Sequence, residues 1–496
     1  MQDKLSVLKS IRFGERIAED ELNDLEKYFV ATDQWNRVYN GEADVVYGSK
    51  GAGKSAIYAL VDRRQNELFD RGILVKSAEN VRGNTVFSDL VADPPPSERV
   101  FVDLWKLYFL LLTASTIRDF GLENDEGKAL IKALEQAELL PQKGTLSQYF
   151  KAARKQIWAY IFPDVESVEH TVALDPSSGL PIYTRKSNFS RSTPEAGAVE
   201  LPLDDLIAKA NEALRASNTV IWILFDRLDV AFNDNVELER NALRAIFRMY
   251  NDFKGYDFIS LKIFVRDDIW RRITEGGFAE ASHITKTVSI DWDHDSLLNL
   301  FALRLMNNES MGNYLELDFE QVAEDFDVQR SITERIFPDQ VETGNNPATF
   351  RWMVNRIQDS TGKSAPRELI HLLETIRQLQ VARLERGEDE PDGEQLFDRT
   401  VFKAALRTVS KVRYEQTFVA ENPTLRDYTE ALKGQKAEQT LSTLRSIWSK
   451  EQTDALEIAE RLVSSGFFER RDNQGEITYW VPFVYRDALE LVQGKA

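Results

Sequence analysis

The apolar positions of this chain change rhythm several times, and each change marks an element. Within residues 1–42, Leu22, Leu25, Tyr28 and Phe29 recur at spacings of three and four, which predicts an N-terminal helical segment. Ala43 to Tyr47 is a short β-rich run that stops at Gly48, and helical character resumes from Ala56 to Arg64, so the order is strand, glycine-rich loop, helix. Gly72 to Ser77 is a second strand. Arg99 to Phe120 is apolar and aromatic (Phe101, Leu104, Trp105, Tyr108, Phe109, Leu112) and reads as a buried helix whose stripe is core. Residues 160–202 have little periodicity and read as a surface insertion.

The third strand, Thr219 to Phe225, is seven apolar or β-branched residues in succession, the pattern of a strand covered on both faces, and it ends on Asp226. A helix from Leu238 to Tyr250 follows, then a fourth strand from Leu261 to Val265 ending on Arg266 and a fifth from Thr285 to Ile290 ending on Asp291. Five strands alternating with helices predict a largely parallel α/β sheet. Beyond residue 295 strand signals fade, and Leu297 to Leu305, Ala348 to Gln358 and Pro366 to Leu384 read as helices of a lid. Glu385 to Glu394 reads as a linker. Near the C-terminus, Leu456, Ile458, Ala459, Leu462 and Val463 make a helix face that Gly466 ends, and Ile477, Tyr479, Val481 and Phe483 alternate beyond the turn Asp472 to Gly475. That is the outline of a winged helix. The expected domains are an N-terminal helical segment (1–42), a core carrying the insertion (43–294), a helical lid (295–390) and a C-terminal helical and winged-helix domain (391–496).

Composition narrows the chemistry. The chain has 496 residues, 43% of them hydrophobic, enough for a large core. By sequence no apolar run approaches the roughly 20 residues of a membrane span, and the N-terminus lacks a signal-peptide core, so the expected location is the cytoplasm and no membrane partner is expected. With no Cys there is no disulfide, thiolate nucleophile or Cys-ligated metal, and the four His residues are scattered. A formal charge of -19 repels nucleic acid and anionic membrane unless a local basic patch compensates, and no Lys/Arg-rich block is present.

Gly48-Ser49-Lys50-Gly51-Ala52-Gly53-Lys54-Ser55 fits the phosphate-binding pattern G-x-x-x-x-G-K-[ST] completely, between a predicted strand and a predicted helix that begins with Ala56. Glycines let backbone N–H groups turn inward around a phosphate, and the following helix directs its positive end at it. Lys54 then reaches the β- and γ-oxygens and Ser55 is a ligand for Mg²⁺. Asp226, at the carboxyl end of a buried strand where open α/β sheets place their ligands, is the second candidate for the metal. Asp229 is the next carboxylate able to return to that crevice and orient an attacking water, though an N-cap role also suits an Asp there. Arg227 between them is an inter-subunit or structural cation. Arg266 is placed to reach a γ-phosphate, with an ion pair to Asp267 or Asp268 as the bland reading. Arg367 opens a helix, where a cation opposes the dipole unless an anion compensates; a phosphate or Glu368 is that anion.

The stretches Tyr28 to Trp35 and Asp44 to Tyr58, the Phe225-Asp-Arg-Leu-Asp229 box and Phe264-Val-Arg-Asp-Asp-Ile-Trp270 resemble a family of bacterial P-loop ATPases related to the AAA+ and STAND classes, over roughly residues 10–380. The resemblance implies an α/β, parallel-sheet P-loop NTPase core with an extra strand between the P-loop and magnesium-Asp strands, a helical lid and a C-terminal winged helix. It implies ATP and Mg²⁺ as ligands, Lys54 and Ser55 as the Walker A pair, Asp226 as the Walker B aspartate, Asp229 as catalytic acid, Arg266 as sensor one and Arg367 as sensor two. Many AAA+ proteins carry Asp-Glu in Walker B, whereas here Asp226 is followed by Arg227, so the role of Asp229 follows the STAND-like pattern. Family members often lie near antiviral defence genes, which implies a regulatory ATPase in defence.

Two functions compete. One is a nucleotide-dependent switch, a homo-oligomer that controls a separate effector protein. The other is a DNA-acting ATPase, an initiator or loader using the winged helix, against which the charge argues. A small-molecule kinase fits the large lid and C-terminal domain poorly, and a dead nucleotide site fits the complete set Lys54, Ser55 and Asp226 poorly.

Overall fold

The computed structural model describes residues 3–14, 25–79, 97–122, 124–161, 165–174, 181–189, 202–226, 236–275, 278–360, 362–473 and 475–495. Leu22, Arg227 and Asp229 lie outside the described residues. The chain divides into two compact units, one of residues 34–47 and 57–289, the other of 1–33, 48–56 and 290–496.

The first unit is built on a five-stranded sheet. Its strands are β1 (Val45–Gly48), β2 (Ile73–Ser77), β5 (Val220–Phe225), β6 (Ile259–Arg266) and β7 (Thr287–Ile290), in the order β2-β5-β6-β1-β7. β2 pairs in parallel with β5 from Ile73↔Val220 to Ser77↔Leu224, and β5 with β6 from Ile221↔Ile259 to Phe225↔Ile263. Two strands thus stand between β1, which leads into the glycine-rich loop, and the edge strand β2, and β6 separates β1 from β5. This is the order implied for a P-loop NTPase core of the type with an inserted strand, and all five expected strands are present. The continuous apolar run of β5 is explained by burial: Ile221 to Phe225 are all buried, and Ile221, Ile223 and Phe225 share a core with Trp105, Phe109 and Phe247 of the covering helices.

Two expectations are corrected in this unit. Glu98–Asp119 is apolar and long enough to meet the length and composition of a membrane span, contrary to the sequence reading, yet 83% of its most apolar stretch is buried. It is the central core helix: Trp105 donates from Nε1 to Ala242 O at 3.0 Å and Tyr108 Oη to Ala78 O at 2.7 Å. The insertion is also more regular than its sequence suggests, because β3 (Val165–Leu174) and β4 (Pro181–Phe189) pair as an antiparallel hairpin. Val165, Val168, Thr171 and Val172 in one strand, and Ile182, Tyr183 and Thr184 in the other, supply the β-branched and aromatic residues that favour such pairing.

In the second unit the lid helices His294–Met306, Thr349–Ile357 and Pro366–Glu385 share a core with Phe337, Phe397 and Phe402. Residues of the N-terminal segment join it: Val7, Leu8, Ile11 and Phe13 are buried there, Arg304 Nη1 donates to Phe13 O, and Lys4 Nζ reaches Pro391 O, Gly393 O and Gln395 O at 2.6–2.9 Å. A separate apolar cluster holds the C-terminal region. There β8 (Lys436–Thr440), helices Leu441–Trp448 and Gln452–Ser464, and the hairpin of β9 (Glu469–Asn473) and β10 (Glu476–Trp480) follow one another, with β11 (Val492–Lys495) beside β8.

Candidate nucleotide site

The loop after β1 has the backbone its sequence demands. Gly51 and Gly53 adopt φ of +83° and +106°, values that side chains resist, and Lys54 then begins the helix Lys54–Arg63. Lys54 is buried, and its ammonium donates to Gly48 O at 2.8 Å and Ser49 O at 3.0 Å, which holds it over the loop it belongs to. A cation at a helix N-terminus opposes the macrodipole, and an anion on the loop satisfies both. Gly48 admits no larger residue cheaply, since a Cβ there would lie 3.1 Å from Ile290 O and 3.3 Å from the Ala52 Cβ.

Three side chains distant in sequence clasp this loop. Trp292 donates from Nε1 to Ala52 O at 2.8 Å. Arg367, the first residue after the Pro that opens Pro366–Glu385, lies against Gly51 so closely that a Cβ added there would be 2.9 Å from the Arg367 Cβ. Lys50 forms an ion pair with Glu421. The sequence singled out Arg367; it carried no sign of Trp292 or Glu421, because neither sits in a local pattern tied to residues 48–56. Ser49, Ser55 and Ala56 complete the loop and first turn, all half-buried.

In the other unit, Asp226 follows directly on β5 and is 6% exposed. Arg266 is the last residue of the neighbouring β6. Its guanidinium is engaged by Asp268, Nε to Oδ1 at 2.9 Å and Nη2 to Oδ2 at 3.1 Å, so the bland ion pair weighed from sequence does form. Arg367 similarly has its neighbour Glu368 spoken for: Arg413 Nη1 donates to Glu368 Oε1 at 2.8 Å, both side chains being buried. Sequence reasoning missed one acid at the sheet's carboxyl edge, Glu79, two residues past β2 and 1% exposed. The rule that selected Asp226, an acid at the end of an apolar strand, selects Glu79 as well when applied to Gly72 to Ser77.

The residues of the loop fit a phosphate group. Positive-φ glycines, a helix N-terminus and a buried lysine form a phosphate cradle. Among the described residues no group of three His, Asp or Glu side chains is placed to hold a metal.

No family model matches the sequence, and no curated protein matches it. Among solved structures, similarity is found to the Aeropyrum pernix ORC1 protein in complex with DNA (12% identity, 96% of each chain covered, TM-score 0.37). It is also found to the Walker-type ATPase paby2304 of Pyrococcus abyssi (11% identity, 93% of this chain and 96% of that one, TM-score 0.39). A third is the Aeropyrum pernix ORC2 protein in its ADPNP-ADP complexes (12% identity, 96% and 93%, TM-score 0.37). A likeness of this degree says nothing of what this chain binds or turns over.

Proposed function

We propose that this chain is a Mg²⁺-dependent ATPase that serves as a nucleotide-controlled switch for a partner protein. The observation that carries the reading is the loop: Lys54 is held over the Gly48 and Ser49 carbonyls, between two positive-φ glycines and a helix N-terminus. In this reading residues 48–56 bind the phosphates through backbone N–H groups, Lys54 neutralises the β- and γ-oxygens, and Ser55 and Asp226 hold the metal. Mg²⁺, when bound, offsets the charge that develops on the phosphates. Arg367 senses the γ-phosphate from the lid, Arg266 does so from β6, and Asp229 is the acid drawn from the sequence for the water.

A switch needs contacts present in one nucleotide state and lost in the other, and arginines that meet only a γ-phosphate supply them. Assembly of protomers in the ATP state and control of a separate effector suit that logic, and the resemblance noted above implies a role in antiviral defence. A DNA-acting role is opposed by the helix that precedes the β9–β10 hairpin, Gln452–Ser464, the one a winged helix lays in a groove. Glu451, Asp454 and Glu457 are exposed at its start and along it, with Arg461 the one exposed base. Phosphate contacts require the opposite sign. The test is ATP hydrolysis by wild type beside Lys54→Ala, with molar mass recorded in ATP analogue and in ADP. Turnover lost in the variant, and a mass that depends on nucleotide, support the reading. Turnover unaffected by Lys54→Ala sinks the assignment of the loop, and identical mass in both nucleotides sinks the oligomeric switch.

A further inference from the structure

We infer that Glu421 regulates the glycine-rich loop: paired with Lys50, it ties the end of a C-terminal helix to the loop, and a nucleotide's phosphate chain releases the tie by taking Lys50 for itself. The inference rests on the ATPase reading above and deepens it by naming a regulatory contact. All the residues concerned lie within one compact unit. The loop carries two lysines. Lys54 is turned onto the carbonyls of Gly48 and Ser49, whereas Lys50 forms its ion pair with Glu421, 371 residues away. The next residue, Gly51, lies against Arg367. Two adjacent loop residues are thus held from two places. Those places are themselves joined, since Glu368, next to Arg367, is paired with Arg413 on the helix that leads to Glu421.

The helix reaches Lys50 through a break in its own regularity. Arg399–Arg413 continues into a π-helical turn, Tyr414–Val419, before Ala420 and Glu421 close it. A π turn takes in about one residue more than an α turn, so Glu421 is set back by about 100° from where an unbroken α-helix would point it. Such turns are rare and gather at functional sites. Here the C-terminal apolar cluster fixes the turn. Tyr414 and Phe418 stack with ring centres 6.2 Å apart, Phe418 meets Phe467 at 5.0 Å, and Tyr414 Oη shares a hydrogen bond with Thr429 Oγ1 at 2.8 Å. Just past Glu421, Asn422 N and Nδ2 both donate to Phe418 O, at 2.9 and 3.1 Å. Glu421 is therefore presented to the loop by a backbone held on both sides.

Of the two pairs, this is the one suited to exchange. The Lys50 and Glu421 side chains are 33% and 24% exposed, against 14% and 7% for Arg413 and Glu368. The less a pair is buried, the smaller its net contribution and the more readily another anion replaces one partner. A nucleotide's phosphates bring several negative charges to the loop, more than one carboxylate offers Lys50. Meeting them costs Lys50 its contact with Glu421. By linkage the two are antagonists: the tie weakens nucleotide binding, and nucleotide loosens the tie by the same factor.

The experiment compares full-length wild type, Glu421→Gln, Lys50→Met, the double variant and Lys54→Ala, with a non-hydrolysable ATP analogue and Mg²⁺. Affinity is measured by calorimetry at low and high salt, and hydrogen exchange of residues 414–425 with and without the analogue. Glu421→Gln should bind the analogue about 3–10-fold more tightly than wild type at low salt, and the gain should shrink at high salt. In the Lys50→Met background the same substitution should change affinity by less than about 2-fold, because no pair is left to break. The analogue should speed exchange of residues 414–425 in wild type, and Glu421→Gln should exchange at the faster rate with or without it. Affinity of Glu421→Gln equal to or below that of wild type overturns the inference, since a merely structural tie would lower stability and leave affinity alone. Tightening that persists in Lys50→Met overturns it too, as does exchange of 414–425 that the analogue slows in wild type. Lys54→Ala should lose binding and keep the slow exchange, which separates loss of the site from loss of the tie. If wild type itself binds no analogue, the ATPase reading falls and this inference with it.

Discussion

Replacing Gly51 by alanine tests whether the lid helix truly rests on the phosphate loop. Gly51 and Gly53 both have positive φ, so alanine at either position carries backbone strain of about 1–3 kcal/mol. Their surroundings differ. A Cβ on Gly53 meets nothing within 4 Å, whereas one on Gly51 arrives 2.9 Å from the Arg367 Cβ and 3.4 Å from its Cδ and Nε. A Cβ is not the free end of a side chain, so relief requires the start of Pro366–Glu385 or the loop itself to move, an overpacking cost of about 1–3 kcal/mol more. The gain from restricting the unfolded chain is the same for both alanines and cancels in the comparison. Gly51→Ala should therefore be less stable than Gly53→Ala by about 1–3 kcal/mol in urea denaturation without nucleotide, at unchanged m. A double-mutant cycle with Arg367→Gly, which deletes the opposing Cβ, should recover most of that difference. Equal midpoints for the two alanine variants would refute the contact and with it the placement of Arg367 over the loop.

Other expectations are quickly stated. Arg413→Ala strands the buried Glu368 carboxylate and should destabilise by about 3–5 kcal/mol, while the double replacement Glu368→Met with Arg413→Met should restore most of the loss; denaturation of the three variants checks it. Glu342 is held down to about 2 by hydrogen bonds from Lys403, Trp352 and Arg356, against an ordinary 4.5. Its contribution is therefore complete above about pH 4.5 and lost as pH falls toward about 2. Glu342→Gln should flatten the acid limb of a stability curve over that window and leave the neutral region's slope alone. Duplex DNA of arbitrary sequence should show no salt-dependent retention at about 0.15 M salt, because the Gln452–Ser464 helix presents carboxylates; a steep salt slope would restore the DNA-acting reading.

What could be read from sequence was whatever burial writes into a local pattern. β5 was the most legible strand, since it is covered on both faces and appears as an uninterrupted apolar run, and the other four showed as shorter β-rich runs. The loop was legible because phosphate binding demands small residues and a lysine at fixed spacing. Arg367 came from a different principle, an unfavourable cation at a helix start, and the structure packs it against Gly51. The β3–β4 hairpin escaped because Glu169, His170, Arg185 and Lys186 interrupt the alternation that a strand with one buried face would show. Partnerships across sequence escaped altogether. Lys50 and Glu421 are 371 residues apart, and no period or motif links them.

One helix within the second unit joins the loop to the C-terminal region, and its sequence explains how. Pro366 fixes the start of Pro366–Glu385, Arg367 follows and lies on Gly51, and Glu368 follows again and is buried against Arg413. Consecutive residues on a helix point about 100° apart, so one turn faces the loop and the Arg399–Arg413 helix at once. Arg413 carries the connection further: burial disfavours its charge, but Glu368 and Tyr485, the latter also as a hydrogen-bond partner, more than restore it. Tyr485 belongs to the C-terminal apolar cluster. Packed interiors do not deform smoothly, so a displacement of Arg367 at the loop has to be accommodated by the buried Glu368 to Arg413 pair or by rotation of the helix as a whole. The helix is thus a rigid element with one end on the glycine-rich loop and its charge partner in the C-terminal region. Lys50 and Glu421 provide a second, more exposed tie between the same two regions.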